Sequence, residues 1–155
     1  MVNRIEELRE YIDDVLSNTP WQHANIHLYG VAQACVLIAM KRGENAELAT
    51  MAGMLHDFYT YKYRDFSDHA HRGAVLAREV LSKLSLTTLE ETDMICTAIH
   101  NHSDKGGHFG TFTEILIDAD VMQHCLYDTT MPVAEREQER FDKLLKEFGL
   151  HEFQS

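Results

Sequence analysis

Between residues 27 and 124 this chain repeatedly places histidine or aspartate on helical faces that a packed core would fill with leucine. Residues three, four and seven apart share one side of a helix, so each polar residue can be assigned a face from its neighbours. His27 falls in line with Val31, Ala34 and Ile38, and His69 with Gly73, Leu76 and Val80. His71, two residues on, falls with Arg78 and Ser82 and points outward. His102 is in register with Ile95, Ala98 and Ile99, whereas His100 sits on the side of Cys96 and Thr97. Asp120 shares a side with Leu116, Ile117 and His124, and Asp118 with Glu114, Val121 and Met122. Both of those sides are partly apolar, so periodicity alone leaves the two aspartates undecided. An inward polar group without a partner costs about 2–7 kcal/mol. Several helices that each turn such a residue inward therefore predict one shared site, and the residue types suit a metal.

The centre of the pattern is His56-Asp57, at the end of the apolar segment AELATMAGMLHDF. Adjacent residues diverge by about 100° on a regular helix, so the helix must end or loosen there if both side chains reach one site. Around this pair the sequence reads as seven helical segments with no competing strand pattern. The first spans about 3–17. The second opens at Thr19-Pro20-Trp21-Gln22, with proline at its first position and a Thr-x-x-Gln capping box, and stops at Gly43. The third starts near Asn45. An aromatic and basic connection, Phe58 to Arg64, leads to a fourth beginning near Ser67. The fifth begins at Thr87 with a box to Glu90, and the sixth follows a glycine-rich loop, 104–110, at Thr111-x-x-Glu114. The seventh runs from about Pro132 to Phe148 and stops at Gly149. A length of 155 residues, 45% apolar with two prolines, suits an all-α bundle of about six to seven helices forming one domain over 1–155.

Composition narrows the function classes. A formal net charge of −11 disfavours a nucleic-acid polymer as partner. It leaves room for a small phosphorylated substrate, because a bound metal and a few local cations reverse the field inside one cleft. The longest apolar run, GVAQACVLIAM, is too short to span a membrane, and the charged N-terminus has no signal-peptide core. Cys35, Cys96 and Cys125 lie in apolar helical stretches without CxxC spacing, as expected of reduced, buried thiols in a cytoplasmic protein.

The order His27…His56-Asp57…His69…His102…Asp120, set in GMLHDF, HAHRGAVLARE, AIHNHS and DADVMQH, resembles the HD-domain superfamily of metal-dependent phosphohydrolases. The resemblance runs from His27 to about His124. It implies an all-helical fold in which His27, His56, Asp57 and Asp120 hold one metal. It further implies that His69 and His102 support a second, with Asp57 bridging. Histidine with carboxylate ligands suits Fe, Mn, Zn, Co or Ni. The GYP element and adjacent His-His pair of cyclic-dinucleotide phosphodiesterases are missing. The acidic pair that follows His-Asp in guanosine-tetraphosphate hydrolases is replaced by Phe58-Tyr59-Thr60-Tyr61. Small bacterial HD phosphatases acting on nucleotides or dinucleoside polyphosphates are the nearest activity class.

The expected chemistry is hydrolysis of a phosphate ester or anhydride in a small, nucleotide-like molecule, with one or two divalent transition metals lowering the pKa of the attacking water. Asp57 is the expected catalytic carboxylate. Lys62, Arg64, Arg72 and Lys105 are candidates to neutralise phosphate charge, with Lys105 and Arg64 preferred; for each, a solvated surface cation is the bland alternative. Phe58, Tyr59, Tyr61 and Tyr63 offer either a wall for base stacking or ordinary packing over helix ends. His124 reads equally as an added metal-site group or a hydrogen-bonded helix residue, and His23, His100, His108 and His151 receive no role. The same six-ligand pattern also occurs in HD-type di-iron oxygenases, which act on small phosphonates or polyols. A non-catalytic ligand-sensing module is the remaining alternative.

Overall fold

A computed structural model describes residues 3–20 and 23–151. Among them are eight α-helices and no strand: α1 (Arg4–Leu16), α2 (Ala24–Arg42), α3 (Ala46–Leu55), α4 (Phe58–Tyr63), α5 (His69–Leu84), α6 (Leu89–Asn101), α7 (Thr111–Tyr127) and α8 (Glu135–Phe148). The added helix is α4, where the sequence suggests only a connection. Six residues are too few to display a helical period. Burial of Phe58, and a left-handed Arg64 that ends the turn, fix it as a helix.

The helix ends show which local signals operate. Asn45 accepts a hydrogen bond from the Leu48 N–H and starts α3. Gly43 and Gly149, at φ of 73° and 65°, close α2 and α8 in the conformation that glycine adopts most cheaply. The capping box of α6 lies one residue later than the sequence suggests, with Thr88 and Glu91 in place of Thr87 and Glu90. The Thr87 hydroxyl instead pairs with that of Thr92. Thr19 does not open α2, which starts at Ala24; its hydroxyl donates to the Leu16 carbonyl at the end of α1. The other half of that expected box, Trp21-Gln22, lies outside the described residues. Thr111 is not a cap either. Gly110 precedes α7, and the Glu114 carboxylate accepts from the Phe109 N–H.

Helices α2, α3, α6 and α7 form the centre, with α5 against α4 and α6, α1 against α3 and α4, and α8 on the far side of α7. Leu28, Ile38, Met51, Leu55, Phe58, Ile95, Ile99 and Ile115 are buried in the shared core. A smaller cluster of Val121, Cys125, Phe141 and Leu145 seats α8. Cys35, Cys96 and Cys125 are all buried free thiols. No described helix is long and apolar enough to cross a membrane.

Glycines set two close approaches that matter for the site. A Cβ on Gly53 would lie 2.6 Å from the Ala32 Cα, so α2 and α3 meet backbone to backbone beside the segments that carry His27 and His56. A Cβ on Gly73 would lie 3.3 Å from the His56 carbonyl oxygen, which lets the start of α5 close over the junction between α3 and α4.

Candidate metal centre

The His56-Asp57 junction solves the divergence problem by changing helix. α3 ends at Leu55, His56 keeps helical angles as its cap, and Asp57, at φ −115° and ψ 12°, leaves the helix and becomes the first cap of α4. Both side chains therefore turn to one interior point. His27 reaches it from α2, His69 from the first residue of α5, His102 from the end of α6, and Asp120 from the middle of α7.

The imidazoles arrive with their protons already placed. The Nδ1–H groups of His56, His102 and His69 donate to the carbonyl oxygens of Gly53 (2.7 Å), Ile99 (2.6 Å) and Phe66 (3.2 Å). That of His27 donates to the Gln123 side-chain oxygen at 2.8 Å. A carbonyl oxygen only accepts, so all four rings carry a proton on Nδ1 and turn Nε2, the nitrogen that can offer a lone pair to a metal, inward. The Nε2 atoms of His27 and His56 are 3.0 Å apart. Two lone pairs at that distance repel unless a proton or a metal ion lies between them.

Asp57 divides its carboxylate between two sets of nitrogens. Its Oδ2 is 3.2 Å from His27 Nε2 and 3.4 Å from His56 Nε2. Its Oδ1 is 3.2 Å from His102 Nε2 and 3.5 Å from His69 Nε2. Asp120 Oδ1 stands 3.6 Å from both His27 and His56. Asp57 Oδ1 and Asp120 Oδ1 are buried and receive no hydrogen bond. An unsatisfied buried acceptor costs about 1–3 kcal/mol, and a bound cation removes that cost. The donor groups His27–His56–Asp57, Asp57–His69–His102 and His56–His102–Asp120 each fall within one cation's reach. This His/Asp cluster is capable of coordinating a divalent metal.

The electrostatics agree with that chemistry. Burial would raise the Asp57 carboxyl, but His56 and the neighbouring His102 and His27 rings hold it well below the ordinary carboxylate range. Burial opposes ionisation of Asp120 too, yet Lys105 and His56 hold it well below that range. Burial lowers His102 and keeps it neutral, as a ligand must be. Burial also lowers His56, but the two carboxylates outweigh it and raise the ring to about 10. The pocket demands positive charge.

The other expected site residues divide. Lys105 enters from the loop 104–110 and, almost fully buried, pairs its Nζ with Asp120 Oδ2 and donates to the His102 carbonyl at 3.1 Å. Arg64 is exposed at the end of α4, and no described ion pair or hydrogen bond joins it to the cluster. Lys62 lies over the Tyr63 ring, and Arg72 is held by Asp65 and the Tyr59 hydroxyl. The aromatic run does not act as one wall. Phe58 is core, packed edge-on against Tyr11, while Tyr59 packs against Tyr63. Tyr61 stands edge-on to His27, its phenol pushed up to about 12 by burial and by Asp57 and Asp120. His71 and His100 are exposed and stack on each other at 4.0 Å, away from the cluster. Asp118 is as buried as Asp120 but is occupied by Arg42 and Arg140.

Three supporting residues escape the sequence reading. Gln123 fixes the His27 ring. Glu137 on α8 accepts from His124 Nδ1 at 2.8 Å, and that bond raises the His124 ring above its ordinary value. Arg140 donates to the carbonyl oxygens of Lys105 (2.7 Å) and Gly107 (2.8 Å) and to Glu114 and Asp118, clamping the loop that carries Lys105. In the sequence each is one more polar residue on an amphipathic helix, and nothing local marks its partner.

The comparisons with known proteins agree with the all-helical fold. The chain is similar in fold to the crystal structure of a predicted HD superfamily hydrolase from an uncultured Thermotogales bacterium. That similarity has a TM-score of 0.64 and 18% identity over 93% of this chain and 88% of the other. No curated protein matches the chain significantly. The HD domain family matches residues 25–147, from just before His27 to the last helix. The chain therefore belongs to the HD domain family and is classed with its metal-dependent phosphohydrolases.

Proposed function

We propose that this chain, read as a single HD-like hydrolase domain over 1–155, hydrolyses a phosphate ester or anhydride of a small, nucleotide-like molecule. His27, His56, Asp57 and Asp120 would hold one divalent transition metal, and His69 and His102, with Asp57 between, a second. The observation that supports this most is the split Asp57 carboxylate. One oxygen faces the His27/His56 pair and the other faces the His69/His102 pair, at 3.2–3.5 Å throughout. A divalent metal in such a donor set supplies Lewis acidity and lowers the pKa of water toward neutrality.

The chain's own groups do the rest. The four Nδ1 hydrogen bonds fix the imidazole orientations with Nε2 toward the metal positions, and a metal binding at His56 displaces the proton that the carboxylates hold there. Asp57 and Asp120 stay ionised, and Lys105 adds a buried positive charge where a phosphoryl oxygen needs neutralising. Partly exposed His69 marks the open side of the cluster. Tyr59, Tyr63 and Arg72 line a depression of about 500 Å³ between α4 and α5, the helices that begin just after Asp57 and at His69. Its aromatic lining suits a nucleobase, and none of the six cluster residues borders it. Arg64 keeps a role only as a rim cation, since no described contact ties it to the cluster.

The test is phosphate release from a panel of mononucleotides, dinucleoside polyphosphates and simple phosphomonoesters, with Mn, Fe, Co, Ni or Zn supplied. Release from at least one nucleotide, lost when Lys105 is replaced by alanine by about 10²-fold in kcat/KM, is the expected result. Release only from non-nucleotide esters would remove the nucleotide assignment. No release with any metal, together with oxygen consumption on a phosphonate or polyol, would replace hydrolysis by oxygenation.

A further inference from the structure

His124 lies one turn beyond Asp120 and outside the six-residue pattern. Its ring stacks flat on that of His27, with centroids 5.2 Å apart and planes within 10°. On one side Nδ1 is 2.8 Å from the Oε1 of Glu137, a buried carboxylate supplied by α8. An ionised carboxylate only accepts, so this bond places the proton on Nδ1 and leaves Nε2 to face the cluster. Nε2 is 3.4 Å from Asp120 Oδ1, one of the two buried oxygens without a hydrogen bond. His27 Nε2 approaches the same oxygen at 3.6 Å, and His27, Asp120 and His124 lie within one cation's reach. A histidine that offers one nitrogen to a metal commonly gives the other to a carboxylate.

Resting on the metal assignment above, we propose that His124 is a further ligand of the metal held by His27, His56, Asp57 and Asp120. Glu137 is its positioning residue. The first metal position thus draws on α8 as well as on α2, α3 and α7, and the last helix becomes part of the centre. A purely structural His124–Glu137 link would tether α8 to α7 and leave the metal unaffected.

Cobalt(II) is the probe, because its affinity and its visible absorption both respond to loss of a nitrogen donor. Metal-free full-length protein is titrated with Co²⁺ against a competing chelator, alongside His124→Ala, His124→Gln, Glu137→Gln and the exposed control His71→Ala. His124→Ala and His124→Gln should each weaken Co²⁺ binding by at least about 10-fold and alter the visible bands. Glu137→Gln should weaken it by less, and His71→Ala should match wild type. The Gln variant can still donate to Glu137, so recovery of wild-type affinity and spectrum there would identify a tether and overturn the proposal. Wild-type affinity and spectrum in both His124 variants would overturn it while leaving the six-residue centre standing. A wild-type protein that binds no Co²⁺ would overturn both.

Discussion

Asp57→Ala should abolish phosphate release, with kcat/KM falling by at least about 10²–10³-fold, while the far-UV helical signal stays at its wild-type level. The asymmetry follows from where Asp57 sits. It belongs to neither flanking helix, and its side chain makes no cap hydrogen bond to α4, so the backbone does not depend on it. Its two oxygens, however, face both nitrogen pairs. Removing the carboxylate leaves His27, His56, His69 and His102 without the negative charge between them, and metal content should fall in step with activity. Asp57→Asn keeps the size and loses the charge, so it should resemble the alanine variant. Turnover and bound metal measured on the same preparations decide the matter. Near-wild-type turnover in either variant would remove Asp57 from the centre of the mechanism.

Arg140→Ala should lower unfolding free energy by about 3 kcal/mol, read by urea denaturation at neutral pH. Arg140 is nearly buried, and its guanidinium serves four acceptors: two carboxylates and two loop carbonyls. Taking away one partner of a buried ion pair leaves the other desolvated and unpaired, which costs far more than a surface pair is worth. Arg42 still neutralises Asp118, and the Phe109 N–H still bonds Glu114, which keeps the loss from being larger. Arg140→Lys should fall between, since an ammonium cannot reproduce the planar fork. The same substitution frees the carbonyls of Lys105 and Gly107, so activity should drop even at temperatures where the protein stays folded. A loss under about 1 kcal/mol would mean that the four contacts are surface-like.

What could be read from the sequence was what short-range periodicity and chain-end chemistry control. The inward faces of His27, His69 and His102 and the outward faces of His71 and His100 follow from neighbours three and four residues away. The ends at Gly43, Asn45 and Gly149 follow from one residue's backbone preference or side-chain cap. Capping boxes were legible only to within a residue. Thr87 and Thr88 are chemically alike, and the choice between them is made by the partner that packs beside them. The Asp118–Asp120 ambiguity had a different origin. Both are buried, and they differ only in what faces them: Arg42 and Arg140 in one case, the histidines and Lys105 in the other. Those partners lie far along the chain or on other helices. For the same reason Gln123, Glu137 and Arg140 were invisible until α2, α7 and α8 were brought together.

The most direct measurement is metal content per chain, taken by elemental analysis on protein purified from metal-supplemented medium and again after chelation. About one or two transition-metal ions per chain are expected, with chelation removing both metal and activity. The thermal midpoint should fall as well, because a ligand that binds only the folded state stabilises it. Protein that carries no metal, yet releases phosphate and melts at the same temperature with or without chelator, would contradict a metal-dependent centre at His27, His56, Asp57 and Asp120.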